Sequence, residues 1–159
     1  LLGGTIKDKT IGILGLSFKP DTDDMRDAPS IDIIELLKQE GAKISAYDPE
    51  AMENAKKLID KINFTSDMYG AVTGADLLIV ITDWNEFKEA DLEKIKNLMK
   101  SPNIIDGRNI YDPKKSKELG FSYVGVGRWI PLEILLIKLN TMKTNLAQVN
   151  LNYIFYYYF

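Results

Sequence analysis

The sequence contains neither cysteine nor histidine in its 159 residues. Without cysteine no disulfide can form, which fits a cytoplasmic protein. Zinc sites built from Cys and His are excluded, as are a Ser-His-Asp triad and a Cys nucleophile. We therefore expect no catalytic residue in this chain, so a reaction that needs such a nucleophile must draw it from elsewhere.

Long apolar runs and an excess of basic charge are also absent. No run approaches the roughly 20 apolar residues that cross a bilayer, and "LLGGTIKDKT" lacks the long apolar region of a signal peptide. The net charge of −3 argues against a nucleic-acid binder, which usually shows a basic face. We expect neither a membrane nor a nucleic acid as partner, but single basic residues can still bind a phosphorylated small molecule.

Strand and helix patterns alternate from residue 10 onward. The short apolar run "TIGILGL" predicts a buried strand, and "IDIIELLKQ" predicts a helix that is capped by Ser30 and stopped by Gly41. The continuous apolar run "ADLLIVIT" predicts a central parallel strand. The pattern as a whole predicts one α/β domain, a Rossmann-like parallel sheet with helices on both faces.

Ligands of such a sheet bind beyond the carboxyl ends of its strands. The loops predicted at that edge are 17–30, 48–50, 82–88 and 106–112. The first of them lies in "GLSFKPDTDDMRDAPS", which holds one Lys, one Arg, four Asp and two Pro. A strand–helix connection needs only about 2–6 residues, so we interpret this stretch as a binding loop.

Lys19 and Arg26 are the candidate binding residues of this loop. Pro20 should stiffen the chain, Phe18 should anchor it, and the four Asp should hold it through Asx turns. A preorganised Lys offers a point charge to a phosphate or sugar oxygen, and an Arg offers a planar fork. A divalent metal at the Asp cluster is the alternative, but the spacing differs from that of an EF-hand loop.

Arg108 is the third candidate, because Gly107 allows a sharp turn that aims it across the sheet edge toward the crevice of Lys19. A surface ion pair is the alternative interpretation. Asp48 stands where a Rossmann unit places its ribose-binding acid. The fingerprint G-x-G-x-x-G is missing, however, so we interpret Asp48 as a turn former and Gly12 and Gly15 as sites of tight packing.

Trp84 and Phe87, in "TDWNEF", offer aromatic rings that can stack on a base or pack against the core. We interpret them as packing residues.

Taken together, these motifs resemble the C-terminal domain of the UDP-glucose 6-dehydrogenases, a branch of the nucleotide-sugar dehydrogenases. The stretches that carry the resemblance are "GLSFKPDTDDMRDAPS", "GAKISAYDP", "ADLLIVITDWNEF" and "IIDGRNIYD", in the family's order over about residues 3 to 128. The pattern F-K-P-x-T-D-D-x-R is long and unusual. It looks closer to the UDP-glucose branch than to the UDP-N-acetylmannosamine or GDP-mannose branches, which remain alternatives.

The resemblance implies an NAD-dependent oxidation of the sugar C6 alcohol in two steps, from UDP-glucose to UDP-glucuronate, as part of nucleotide-sugar metabolism and polysaccharide biosynthesis. It implies an N-terminal domain that holds NAD and supplies a Cys nucleophile, a central helix that dimerises, and hence a homo-oligomer. Phe18, Lys19 and Arg108 are implied to contact the UDP-sugar, Arg108 from its own or a partner subunit. Arg26 is implied to reach NAD across the domain gap.

The chain also departs from the family pattern. It starts without Met, and it carries no NAD fingerprint and no central helix beyond "LLGGTIKDK". We expect residues 1–9 to be the remnant of a linker and residues 10–128 to be the UDP-sugar-binding domain, inactive by itself. Residues 129–159 no longer alternate strand and helix, so we expect an atypical apolar and aromatic tail. A C-terminal helix that covers the sheet is the alternative.

Two other function classes stay open at this point. A truncated gene product could serve as a non-catalytic interaction module that associates through its former interdomain face. A phosphate-binding regulatory domain for another nucleotide is the third possibility.

Overall fold

Strands and helices alternate along the part of the chain that the computed structural model describes, residues 1–2 and 5–126. The tail at 129–159 and the last residues of the predicted domain, 127–128, lie outside the described residues. The elements in chain order are β1 (Thr10–Leu14), α1 (Pro29–Gln39), β2 (Lys43–Tyr47), α2 (Met52–Leu58), β3 (Asn63–Phe64), α3 (Met68–Val72), β4 (Leu77–Val80), α4 (Asn85–Lys88), α5 (Leu92–Leu98), β5 (Asn103–Asp106), α6 (Pro113–Glu118) and β6 (Ser122–Gly125).

The strands form one parallel sheet in the order β3-β2-β1-β4-β5-β6. The predicted α/β class and Rossmann-like sheet are therefore confirmed. As expected, β4 is central: it pairs with β1 and β5, and all of its residues are buried. From β1 the chain adds β2 and β3 toward one edge of the sheet. It then returns to the other side of β1 and adds β4, β5 and β6 toward the other edge. The topological switch point thus lies between the carboxyl ends of β1 and β4.

Helices cover both faces of the sheet because the direction of the crossovers changes at the switch point. On one face, α1 and α2 pack on the sheet, with Ile34 and Ala55 in the same core as Ile79 of β4. On the other face, α3, α4 and α5 enclose a second core that includes Leu78 and Val80. Successive residues of β4 therefore feed the two cores in turn, as the alternation of side chains along a strand requires.

The helix α1 begins at Pro29, where a missing N–H costs no helical hydrogen bond. The expected cap at Ser30 is wrong: Ala28 is the N-cap, and the buried Ser30 hydroxyl donates to the carbonyl of Leu16 at 2.5 Å. The end of the helix is as predicted. Gly41 adopts a φ of 84° directly after the C-cap, a conformation that glycine adopts without strain.

Two elements were not predicted from the sequence. The strand β3 has two residues and the helix α4 has four, so neither is long enough to display a period in its side chains. None of the helices in the described ranges is long and apolar enough to cross a membrane.

Close packing at Gly12 and Gly15 confirms the interpretation of this pair. A Cβ on Gly12 would lie 2.7 Å from the carbonyl oxygen of Ala71 in α3. Gly15, directly after β1, has a φ of 94°, and a Cβ there would lie 2.5 Å from the backbone nitrogen of Thr82. The chain after β1 therefore runs against the chain after β4 with no room for a side chain.

We expect Gly15→Ala to lower the free energy of unfolding by about 2–5 kcal/mol, since left-handed strain and overpacking add. Gly74→Ala is the matched control, because Gly74 has a φ of 72° but no atom within 4 Å of the added Cβ. It should lose only about 1–2 kcal/mol from the backbone strain. Urea denaturation of the two variants measures the difference, and equal losses would contradict the packing argument.

Candidate nucleotide-sugar site

The charged loop between β1 and α1, residues 15–28, starts at the switch point. Its first residues are buried, and the chain then makes an excursion that closes where the Phe18 N–H donates to the carbonyl of Asp24 at 2.9 Å. Phe18 was expected to anchor the loop, but its side chain is 46% exposed. Met25, which is 4% exposed, is the apolar anchor instead. The ring of Phe18 is thereby left on the surface at the base of the loop.

The four acids of the loop do not all act as predicted. Asp24 forms the expected Asx turn by accepting from the N–H of Arg26 at 3.0 Å. The carboxylate of Asp23 instead accepts from the side chain of Asn54 in α2, at 3.0 Å. Asp21 and Asp27 adopt positive φ values of 60° and 54°, which Asp tolerates better than most residues. The loop is thus shaped by its backbone and by α2 as well as by Asx turns.

Arg26 pairs with an acid of its own loop. Its Nε and Nη2 donate to the two carboxylate oxygens of Asp24 at 2.9 and 2.7 Å, while the side chain of Arg26 stays 87% exposed. The hydrogen bonds from Arg26 lower the pKa of Asp24 to about 2. Arg26 also lines a shallow groove between the loop and α2, with Lys57 and Leu58 on the opposite wall. It therefore presents its charge at the surface of the domain.

Arg108 reaches across the sheet edge as predicted. Its backbone N–H donates to the buried carboxylate of Asp106 at the end of β5, and its Nε donates to the carbonyl of Ile81 at 2.6 Å. Ile81 directly follows β4. Asp106 also accepts from the N–H of Tyr111 and the hydroxyl of Tyr123, both at 2.9 Å, so the turn that aims Arg108 is held on both sides.

The chain segments that follow β1 and β4 are joined at the switch point. The hydroxyl of Thr82, next to Ile81, donates to the carbonyl of Ser17 at 2.7 Å. Phe18 and Lys19 follow Ser17 directly, and both are exposed. The structure therefore brings the loop residues Phe18 and Lys19 to the same strand ends as Arg108, and it places Arg26 beside α2.

Asp48 forms the turn that was predicted for it. It is fully buried after β2, and its Oδ1 accepts from the N–H groups of Glu50 and Ala51 at 3.0 and 2.8 Å. This arrangement shapes the connection from β2 to α2.

The second oxygen of Asp48 has a role that the sequence interpretation missed. Oδ2 accepts from the N–H groups of Leu16 and Ser17 at 2.7 and 3.0 Å, and from the Ser17 hydroxyl at 2.9 Å. The indole N–H of Trp84 adds a further bond at 3.2 Å. In the sequence, the hydrogen-bond donors Ser17 and Trp84 in the neighbouring loops could have indicated this role. One buried carboxylate thus joins the loops that follow β1, β2 and β4.

The aromatic residues after β4 belong to the core, as interpreted. Trp84 is 7% exposed and Phe87 is fully buried. The ring of Phe87 meets the ring of Tyr47 edge-on, with 6.2 Å between centroids. The hydroxyl of Tyr47 donates to Glu86 at 3.3 Å, and burial raises its pKa to about 12. These rings form the floor of the sheet edge rather than an open platform for a base.

A dinucleotide does not fit at the end of β1. Its pyrophosphate would need a helix N-terminus directly after a short glycine loop, whereas here residues 15–28 separate β1 from α1. Asp48, at the position of the ribose-binding acid, uses both carboxylate oxygens within the protein. The described residues also contain no group of three or more Asp or Glu that could hold a metal ion.

The family model for the UDP binding domain of the UDP-glucose/GDP-mannose dehydrogenase family matches residues 12–113, from β1 to the start of α6. The chain belongs to this family. The match covers the charged loop and the Arg108 turn, so the resemblance found in the sequence is confirmed.

Related proteins agree with this assignment. The UDP-glucose 6-dehydrogenase of Rhizobium meliloti (strain 1021) is 47% identical over 126 residues, which are 79% of this chain and 29% of the relative. Among solved structures, a UDP-glucose dehydrogenase from Pyrobaculum islandicum is 30% identical with a TM-score of 0.64, over 77% of this chain and 26% of that one. The UDP-D-ManNAc dehydrogenase from Pyrococcus horikoshii has the same identity and TM-score, over 78% and 27%. The chain spans less than a third of the curated relatives it matches.

Replacing Arg26 with Gln should raise the pKa of Asp24 from about 2 toward its ordinary 3.8, because the main hydrogen bonds to the carboxylate are lost. A lowered pKa stabilises the fold above pH 4, and this contribution disappears as the pH falls from about 4 to about 2. An NMR titration of the Asp24 carboxyl carbon measures the change. The pKa of Asp60, which Lys38 lowers, is the internal control and should not move. An unchanged pKa at Asp24 would contradict the pairing.

Proposed function

We propose that this chain is the UDP-sugar-binding C-terminal domain of an NAD-dependent UDP-glucose 6-dehydrogenase. The observation that supports the proposal most is the position of Arg108, whose guanidinium lies over the end of β4 next to the loop of Phe18 and Lys19. A cationic site at the switch point of a parallel sheet is suited to a phosphorylated ligand. The family match covers the same residues.

Each candidate residue has a role that its chemistry suits. Lys19 places a point charge near phosphate or sugar oxygens, and Arg108 offers a fork whose plane is set by the bond to Ile81. The exposed ring of Phe18 gives the ligand an apolar surface. These residues bind and orient the UDP-sugar; none of them attacks it.

NAD would accept the hydride in the complete enzyme, and we assign its binding to a separate N-terminal domain, because the residues here do not fit a dinucleotide. That domain would also supply the Cys nucleophile, so this chain alone would be inactive. Arg26 would face the cofactor across the domain gap from its exposed position on the loop. We propose a cytoplasmic homo-oligomer for the complete protein, with residues 1–9 as linker, 10–128 as the binding domain and 129–159 as an appended tail.

UDP-N-acetylmannosamine is the second candidate for the ligand. The likeness to the UDP-D-ManNAc dehydrogenase equals that to the UDP-glucose dehydrogenase in both identity and TM-score, which favours UDP-N-acetylmannosamine as the second candidate over GDP-mannose. A non-catalytic interaction module is supported by the exposed apolar side chains of Phe18 and Leu58, at 46% and 57%. Light scattering of the chain measures self-association, and calorimetry with UDP-glucose measures binding, so the two together separate these functions.

The full 159-residue chain should bind UDP-glucose weakly, since the walls supplied by other domains are missing. Lys19→Ala and Arg108→Ala should each weaken binding by about ten-fold, because each removes a charge-assisted hydrogen bond. Lys43→Ala is the matched control: this exposed lysine begins β2 at the opposite edge of the sheet, and its loss should leave the affinity unchanged. Calorimetry with UDP-glucose measures all four proteins. No binding at millimolar ligand by the folded chain would contradict the proposal.

Turnover should appear when the chain is combined with the Rhizobium meliloti relative from which the matching C-terminal region has been removed. The expected signal is NADH formation from UDP-glucose, because the nucleophile and the cofactor site would come from the relative. Neither half should be active alone, and Lys19→Ala should lower the restored rate. Activity of the isolated chain would overturn the division of roles.

A further inference from the structure

We propose that Asp48 is a positioning residue for the nucleotide-sugar site, a role that rests on the proposed function. The carboxylate does not touch the ligand. It holds the start of the charged loop in the arrangement that brings Phe18 and Lys19 to the strand ends where Arg108 lies.

The two residues at the start of the loop are held from both sides. The N–H groups of Leu16 and Ser17 both donate to Oδ2 of Asp48. Their carbonyls accept from the hydroxyls of Ser30 and Thr82, at 2.5 and 2.7 Å respectively. Every backbone N–H and carbonyl of this dipeptide is therefore hydrogen-bonded to a side chain from another segment. A change at Asp48 releases the N–H side of both peptides together.

A carboxylate suits this position better than a neutral side chain. Counting both oxygens, Asp48 accepts six hydrogen bonds from five residues, and the donors are backbone N–H groups, a hydroxyl and an indole. An ionised carboxylate is acceptor-only, whereas an amide presents two N–H donors of its own. Asn at this position must turn its NH₂ group either toward the loop or toward the β2–α2 turn, and in each case donors face donors.

The opposite edge of the sheet contains a matched carboxylate. Asp76 is 3% exposed, precedes β4, and accepts from the N–H of Thr10 at 3.0 Å. Lys100 lies 3.2 Å from it. Asp76 therefore ties strand β1 to its neighbour at the amino end, as Asp48 does at the carboxyl end, but away from the candidate site. A structural role shared by the two acids predicts equal effects on ligand affinity, and a positioning role predicts unequal ones.

The test compares Asp48→Asn with Asp76→Asn in the full chain. Thermal denaturation first gives a temperature at which each variant is folded, and calorimetry with UDP-glucose is done at that temperature. We expect at least ten-fold weaker binding for Asp48→Asn and less than two-fold change for Asp76→Asn. In a Trp129→Phe background, Trp84 is the remaining tryptophan, and its emission should shift to longer wavelength in Asp48→Asn alone.

The outcomes separate this proposal from the proposed function. If the unmutated chain fails to bind UDP-glucose, the proposed function is overturned and the positioning role with it. If the unmutated chain binds and Asp48→Asn binds equally well, or if Asp76→Asn loses as much affinity, the positioning role alone is overturned. Should Asp48→Asn not fold, Ser17→Ala removes one donor and keeps the carboxylate. It should bind at least three-fold more weakly, and an unchanged affinity would count against the role.

Discussion

The carboxylate of Asp48 is the interaction on which the carboxyl edge of the sheet depends. A buried charge is tolerated only when hydrogen bonds replace its water, and here the donors come from the segments after β1, β2 and β4. The donors after β1 and β4 lie more than 30 residues from Asp48, so their bonds cannot form until β1 lies between β2 and β4. The edge therefore forms as a unit, with the loop start already in place.

The charged loop has a buried base and an exposed rim. At the base, Leu16 and Ser17 are buried and fully hydrogen-bonded. On the rim, Arg26 and Asp24 form an ion pair in water, where such pairs contribute little to stability. Rigid attachment with an exposed charged rim is the arrangement that a binding loop needs. It agrees with the proposed role of this chain as a UDP-sugar-binding domain.

Local patterns predicted most of the fold, and the failures have physical reasons. The apolar run of β4 and the stop at Gly41 are encoded within a few residues, so both were predicted. The strand β3 and the helix α4 are too short to show a period. Ser30 looked like a cap because its type suits one, but its hydroxyl bonds the loop base instead. Phe18 looked like an anchor, and its ring is at the surface because Met25 fills the core position.

The sequence by itself determined the alternation of strand and helix, the loops at the ligand edge and the family, and it named Phe18, Lys19, Arg26 and Arg108 as candidates. Each of these rests on composition, periodicity or a contiguous motif. The tertiary structure alone decided that Arg108 bonds the carbonyl of Ile81, that Arg26 pairs within its loop, and that Asp48 serves three loops. These contacts depend on which strands are neighbours and on where each side chain finds a partner. The residue type fixes how many hydrogen bonds a side chain can form. Which partners it bonds depends on the distant segments that the fold brings next to it.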